Sequence, residues 1–368
     1  MGFGGARVVR GLIGLAAILA ATRTFPAQAY VSYNRLGYVS CAACHFSPVG
    51  GGLLTPYGKG VGASMAAISR ETSPPEKTLY QGVQLRALRL DSSTRANPFL
   101  MQADYLATAY ITKAVHADVQ AGLNLRQDES DFVSVPPGWD ALVLKRAVLS
   151  ADLDDTRSVH AGRDIPISGL YVTDHTSFLR SRDRRGVYDY TTQLRYLHQT
   201  ETLQLQPYLL APSYEESADN REYGLGFRGE YLLTSQSSAG VTLQYANSPA
   251  LGRLSGGGFV RYSPWHWGGV SAEYVGTAFG VHSGGASLGQ HVVHVRGSVA
   301  FPDWVETSLI GEVLRVTDPF GENARQFGPS VNVRIHEYVT LIGDGRRVVT
   351  SGGGEWSWYG QVFFHLEI

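Results

Sequence analysis

Hydrophobic and polar residues alternate one by one along most of the chain from about Tyr80 to Ile368. In LQLQPYLL, Leu203, Leu205, Pro207 and Leu209 share one face, and Gln204, Gln206 and Tyr208 share the other. HVVHVRGSVAF sets Val293, Val295, Gly297, Val299 and Phe301 against His294, Arg296, Ser298 and Ala300. VNVRIHEY sets Val331, Val333 and Ile335 against Asn332, Arg334 and His336. The last stretch puts Trp356, Trp358, Gly360, Val362, Phe364, Leu366 and Ile368 on one face, with Tyr359, Gln361, His365 and Glu367 on the other. Alternation with a period of two predicts strands that have one apolar and one polar face. Roughly sixteen such stretches can be marked, within a range of fourteen to eighteen if the strand number is even.

Two architectures satisfy this pattern. A secreted β-sandwich or propeller turns its apolar faces inward, whereas a membrane barrel turns them to lipid and lines its lumen with the polar ones. No regular blade repeat supports a propeller. Charges sit inside many strands, as with Arg86 and Arg89, Arg195, Arg228 and Glu273. The strands are long enough to cross a bilayer at a tilt, and YSPWHW, with Trp265 and Trp267, places aromatics at a strand end, where an interface girdle would lie. Exposed sheet edges in lipid would leave backbone groups unpaired, so closure is compulsory. The expected fold is therefore mainly β, a transmembrane antiparallel β-barrel with a short N-terminal segment of different character.

Composition adds little to this picture. The net charge is -1 and only 17% of residues are charged, which argues against a nucleic-acid partner. Acidic and small residues mark exposed loops at Asp128 to Asp140, Pro212 to Glu222 and Thr317 to Gln326. Glu215, Glu216, Asp219 and Glu222 form an acidic group that reads as solvated loop charge rather than a cation site. The stretch from His160 to Gly186 carries Arg163, Arg180, Arg182, Arg184 and Arg185, and Pro166 breaks its strand pattern. We expect a charged surface turn there. The alternative is a segment that folds inward, narrowing the lumen or touching the N-terminal segment.

The first residues have the form of an export signal. Arg7 and Arg10 precede an apolar run from Gly11 to Ala21, and Ala27-Gln28-Ala29 is a small-x-small cleavage site. The run is too short to span a bilayer, which disfavours an uncleaved anchor. The expected division is a signal peptide over 1–29, a segment over 30–75 and the barrel over 76–368. Pro74 and Pro75 mark the linker before the barrel.

The chemistry of the chain concentrates in SCAACH. Cys41 and Cys44 are the only cysteines, and His45 follows directly. This is the attachment pattern of haem c: two thiols bond the porphyrin vinyl groups, and the adjacent imidazole is the proximal iron ligand. A disulfide would leave His45 without a role and usually belongs to an α/β redox fold, while zinc lacks further ligands at recognisable spacing. One covalent haem c is the expected cofactor. Leu53 and Leu54 are candidate apolar cover for the ring, and Gly50 to Gly52 allow close approach of the backbone. Met65 is the local candidate for sixth ligand, a thioether on six-coordinate low-spin iron. His116, His160 and His175 are the later histidines with the same potential.

With its signal, CAACH, GGGLLTPYGKG at Gly50 to Gly60 and a barrel remainder, the chain resembles the outer-membrane cytochrome–porin fusions, whose best-known members are monohaem iron-oxidising cytochromes. The resemblance implies an outer-membrane location and electron transfer through one haem. It implies a periplasmic electron-carrier cytochrome on one side and an extracellular redox partner or metal ion, iron among them, on the other. It also implies that the haem segment sits in the lumen as a plug. The chain would then be an electron-transfer protein rather than a conventional enzyme, and no hydrolytic triad or paired-carboxylate site is evident. Two other classes fit the same residues: a porin-like solute channel with an accessory haem, and a scaffold for multihaem partners.

Overall fold

The computed structural model describes residues 78–367, less 92–97, 124–125, 128–132, 135–141, 167–168, 171–176, 182–189, 201, 213–220, 235, 266–267, 282–287, 301–304, 318–322 and 337–338. Its strands are β1 (Leu79–Asp91), β2 (Pro98–Tyr110), β3 (Val115–Leu123), β4 (Arg126–Gln127), β5 (Val133–Ser134), β6 (Leu142–Asp154), β7 (Arg157–Asp164), β8 (Thr191–Gln199) and β9 (Leu203–Ala211). They continue as β10 (Tyr223–Thr234), β11 (Ser237–Asn247), β12 (Leu251–Trp265), β13 (Gly268–Val281), β14 (Leu288–Ala300), β15 (Val305–Val316), β16 (Ala324–His336), β17 (Val339–Thr350) and β18 (Gly353–Glu367).

All but β4 and β5 form one closed antiparallel barrel of sixteen strands, the number expected from the alternation. The chain runs up and down, each strand pairing with its neighbour in sequence, and β1 closes on β18 from Gly82↔Glu367 to Asp91↔Trp358. β4 and β5 pair only with each other, within the long connection between β3 and β6. The connections at one end are short, as with residues 111–114, 155–156 and 200–202. Most of those at the other end are longer. β1 begins and β18 ends at the short-turn end.

The wall is built inside-out relative to a soluble barrel. Outward-facing Leu209, Leu225, Val241, Leu243, Leu254 and Val260 are each half-exposed or more. Inward-facing Gln204, Gln206, Arg228, Glu230, Gln244 and Ser255 are buried. In water an apolar belt of this extent would drive association, whereas in a bilayer it is the stable arrangement. A twelve-residue strand such as β10 rises about 3.3 Å per residue; tilted by about 40° it covers roughly 30 Å, enough for an apolar band of roughly 25 Å. Aromatics flank the belt. Tyr231, Tyr262 and Trp265 point outward near the short-turn end, and Tyr223, Tyr245, Trp356 and Trp358 near the other. Trp356 and Trp358 stack at 5.4 Å. Tyr and Trp suit this level because one end of each ring system is apolar and the other can be wet.

Candidate functional site

The inner face of the wall is a lattice of ion pairs. Each strand contributes every second residue, so cross-strand neighbours meet at one level. Asp164 accepts from Arg146 Nε at 3.2 Å and Arg195 Nη2 at 3.3 Å, and Arg146 also reaches Asp118 at 3.2 Å. A register shift in the β3–β6 ladder between Gln120 and Ala121 turns both Lys145 and Arg146 inward, and Lys145 bonds Asp104 at 2.5 Å. Glu230 takes Arg228 at 2.5 Å and Arg261 at 2.6 Å. Arg253 meets Glu222 at 2.8 Å, and Arg296 meets Glu306 at 2.9 Å. Glu222, read from sequence as solvated loop charge, is thus buried against Arg253; Glu215, Glu216 and Asp219 lie outside the described residues. Pairing of this kind offsets the cost of burying charge.

The connection from β7 to β8 folds into the lumen, which corrects the expected surface turn between His160 and Gly186. β15 lies eight strands from β7 in either direction round the sixteen, so it stands on the opposite wall. The connection reaches it. Ser177 Oγ donates to Glu312 Oε1, and Phe178 N donates to Glu312 Oε2 at 2.9 Å. His294 Nδ1 meets the same carboxylate at 2.7 Å, and Gln326 Nε2 donates to it as well. A second carboxylate, Glu273 on β13, accepts Leu170 N at 2.7 Å, and Arg228 Nε donates to the carbonyl of Gly169 at 2.9 Å. Gly169 has φ +43°, and a Cβ there would lie 1.6 Å from Glu273 Oε1, so both the backbone and the close approach require glycine.

Apolar contacts complete the dock. Leu170, Phe178 and Leu179, the last two on the single turn α1 (Phe178–Ser181), pack on Phe259, Val275, Val292, Leu314 and Ala324 of β12 to β16. These wall residues occupy positions of the inner, otherwise polar face. That lapse is the signal the sequence did carry for an inward segment, and reading strands one at a time passes over it. Arg163 lies over the Tyr190 ring at 5.1 Å, bracing the two ends of the connection; the side chains of Arg180, Arg182, Arg184 and Arg185 lie outside the described residues. The lumen is therefore crossed at mid-height by a loop held at two carboxylates and one apolar patch.

The barrel fold has counterparts among solved structures. OmpT, an outer membrane protein of Vibrio cholerae, aligns with a TM-score of 0.57 at 7% identity, over 78% of this chain and 96% of that one. An anion-selective porin from Comamonas acidovorans aligns with a TM-score of 0.57 at 13% identity, over 79% of this chain and 99% of that one. OmpF of Salmonella typhi, in complex with daunomycin, gives 0.57 at 10% identity, over 78% and 97%. The fold is a porin fold. No protein-family model matches the sequence, and no curated protein matches it.

The porin fold accounts for the part of the chain from Leu79 onward. Cys41, Cys44, His45 and Met65, the residues assigned from sequence to the haem and its iron, lie outside the described residues, as do the segments expected from sequence to be an export signal and a proline linker. Of the later histidines, His175 lies outside them too. His116 and His160 are both buried on the inner face, at one level of the wall: His116 pairs with Ser150, which pairs with His160. Among the described residues, no group of three or more His, Cys, Asp or Glu side chains is placed to hold a metal ion.

Proposed function

We propose that the chain is a barrel of the outer membrane whose lumen forms a narrowed, polar, porin-like passage for small solutes. The observation that carries this is the β7–β8 connection pinned across the lumen to Glu312, in a wall that is apolar outside and charged inside. A sixteen-strand barrel encloses an aqueous channel unless something fills it, and here a loop narrows it. The related folds include a protein described as an anion-selective porin. Purified protein in planar bilayers tests the reading. Stepwise conductance is the expected result, and bilayers that stay silent at high protein concentration would overturn it.

A second reading, electron transfer through one haem c, is favoured by a specific observation in the sequence. Cys41, Cys44 and His45 provide the donor set that haem c uses, two thiols and an imidazole, behind a segment with the pattern of an export signal. The fold and its neighbours speak for the channel; this reading rests on the motif. Two features support it further. The chain enters the wall at Leu79, at the short-turn end, which faces the periplasm in bacterial barrels. The inner wall is also packed, with Arg195, Gln204, Gln206, Gln244 and His294 each 1% exposed. When bound, haem c supplies one-electron exchange. This chain's residues would hold it, orient it and keep water from it. One haem cannot cross roughly 30 Å of apolar core unaided, so a periplasmic cytochrome must dock below and an external donor or acceptor, with iron as a candidate, must approach from above. Covalent haem on the barrel, silent bilayers and reduction of a soluble c-type cytochrome sealed inside proteoliposomes by an added external reductant would establish this reading; haem-free protein would end it.

A further inference from the structure

We propose that the outer surface of β14 to β18 binds the phosphorylated headgroup of an outer-leaflet glycolipid, lipopolysaccharide, near the rim opposite the short turns. The inference concerns the outside of the wall and is independent of what the lumen conducts. The apolar belt has an exception there. His291, Arg315, Arg325 and Arg347 are exposed, and each has a buried, inward-facing residue beside it: Val292, Leu314, Ala324 and Arg346. Alternation therefore turns all four toward lipid. His291 is near the start of β14, Arg315 next to the end of β15, Arg325 second in β16 and Arg347 close to the end of β17. All four thus lie at the end of the barrel away from the short turns. His291 and Arg315 are direct register partners. Arg325 opposes Val313 and Arg347 opposes Phe327, so each arginine is a diagonal neighbour of the next. Such pairs have Cβ atoms about 7–8 Å apart, within reach of long side chains.

The charge of this row is not balanced by the protein. Arg346, facing the lumen, pairs with Asp344 at 2.9 Å. Arg347, the next residue, faces the other way. Among the described residues no acidic side chain pairs with Arg315, Arg325 or Arg347, and no outward position of β14 to β18 is a carboxylate. Cations beside hydrocarbon are costly unless an anion meets them, and guanidinium groups suit phosphate through paired N–H donors. Aromatic rings place the row at the membrane interface. Tyr274 stacks on His291 at 6.1 Å, with its hydroxyl 2.9 Å from Nδ1. Phe327 meets Trp356 edge-on at 5.9 Å, and Trp356 is the register partner of Arg347. Deeper in the belt, Gly297, Gly311 and Gly343 face outward, and a Cβ on any of them would meet nothing within 4 Å. They leave shallow hollows among Val295, Leu309 and Val331 where acyl chains can lie. A soluble anion would use only the arginines, whereas a phosphorylated lipid uses the arginines and the hollows together. A second copy docked by the same face would set arginine against arginine.

The test uses the full-length protein, purified in detergent and stripped of endogenous lipid. Native mass spectrometry reads the binding of bisphosphorylated lipid A, its dephosphorylated form and phosphatidylglycerol. We expect the bisphosphorylated lipid to bind most tightly and to stay bound in millimolar inorganic phosphate. Combining Arg315→Gln, Arg325→Gln and Arg347→Gln should weaken that binding by roughly 10- to 100-fold. Arg157→Gln, at the short-turn rim, should leave it unchanged. Heat-modifiable mobility checks that each variant keeps its barrel. Equal binding of the phosphorylated and dephosphorylated lipids, or of phosphatidylglycerol, would overturn the proposal. So would displacement by inorganic phosphate, or a triple variant that binds as the native protein does. A triple variant altered only in oligomeric state would make this face a contact between copies and overturn it too. If the triple variant does not fold, the ranking of the lipids by the native protein still decides.

Discussion

Glu312 gathers four partners on one carboxylate: Ser177, Phe178, His294 and Gln326. Two of them belong to the inward loop and two to the wall, so this one side chain joins the loop to the opposite side of the barrel. Glu312→Ala leaves a buried N–H and hydroxyl without an acceptor, at a cost of roughly 1–3 kcal/mol per group. We expect the loop to detach locally while the barrel persists. Bilayer conductance should rise, and protease should cut between residues 165 and 190 faster than in the native protein. Gly169→Val should have the same effect by another route. It forces a β-branched residue to φ +43° and places its Cβ on Glu273, a strain of about 1–3 kcal/mol from the backbone alone. An unchanged conductance in both variants would mean the loop does not limit passage.

At the level of strands, alternation decides which face meets lipid, and most of it was legible in the sequence. Gln204, Gln206 and Tyr208 do face inward, as do His294, Arg296 and Ser298, while Leu209, Val293, Val295 and Val299 face outward. The reason is local, since a period of two assigns each side chain once one neighbour is assigned. The inward loop was not legible, because its destination is set by distant residues. Leu170 and Phe178 are held by carboxylates 103 and 134 positions away in sequence, and a run rich in arginine looks the same whether it folds over or into a barrel. Two substitutions on β11 check the facing assignment. Val241→Arg, on the outer belt, should destabilise the barrel by about 2–4 kcal/mol in lipid. Neighbouring Thr242→Arg, on the lumen side, should cost much less and alter conductance instead. Denaturant titration in lipid vesicles measures both. Equal costs would contradict the inverted polarity.

At the level of the whole molecule, closure of β1 on β18 leaves the barrel no free sheet edge and brings both ends of its wall to the short-turn rim. Whatever precedes Leu79 must reach the wall at that rim. A one-dimensional pattern predicts strand number and polarity, but closure and a crossed lumen emerge only when sixteen strands are registered together. The most direct test of the account is a denaturing gel of purified outer membranes, run with and without boiling and stained for covalent haem. A single band that migrates differently before and after heating is the result expected of a closed barrel; haem stain on that band in both forms would carry the second reading as well, and its absence would leave the channel alone. A band whose mobility is insensitive to heat, or that partitions with soluble periplasmic protein, would contradict the account.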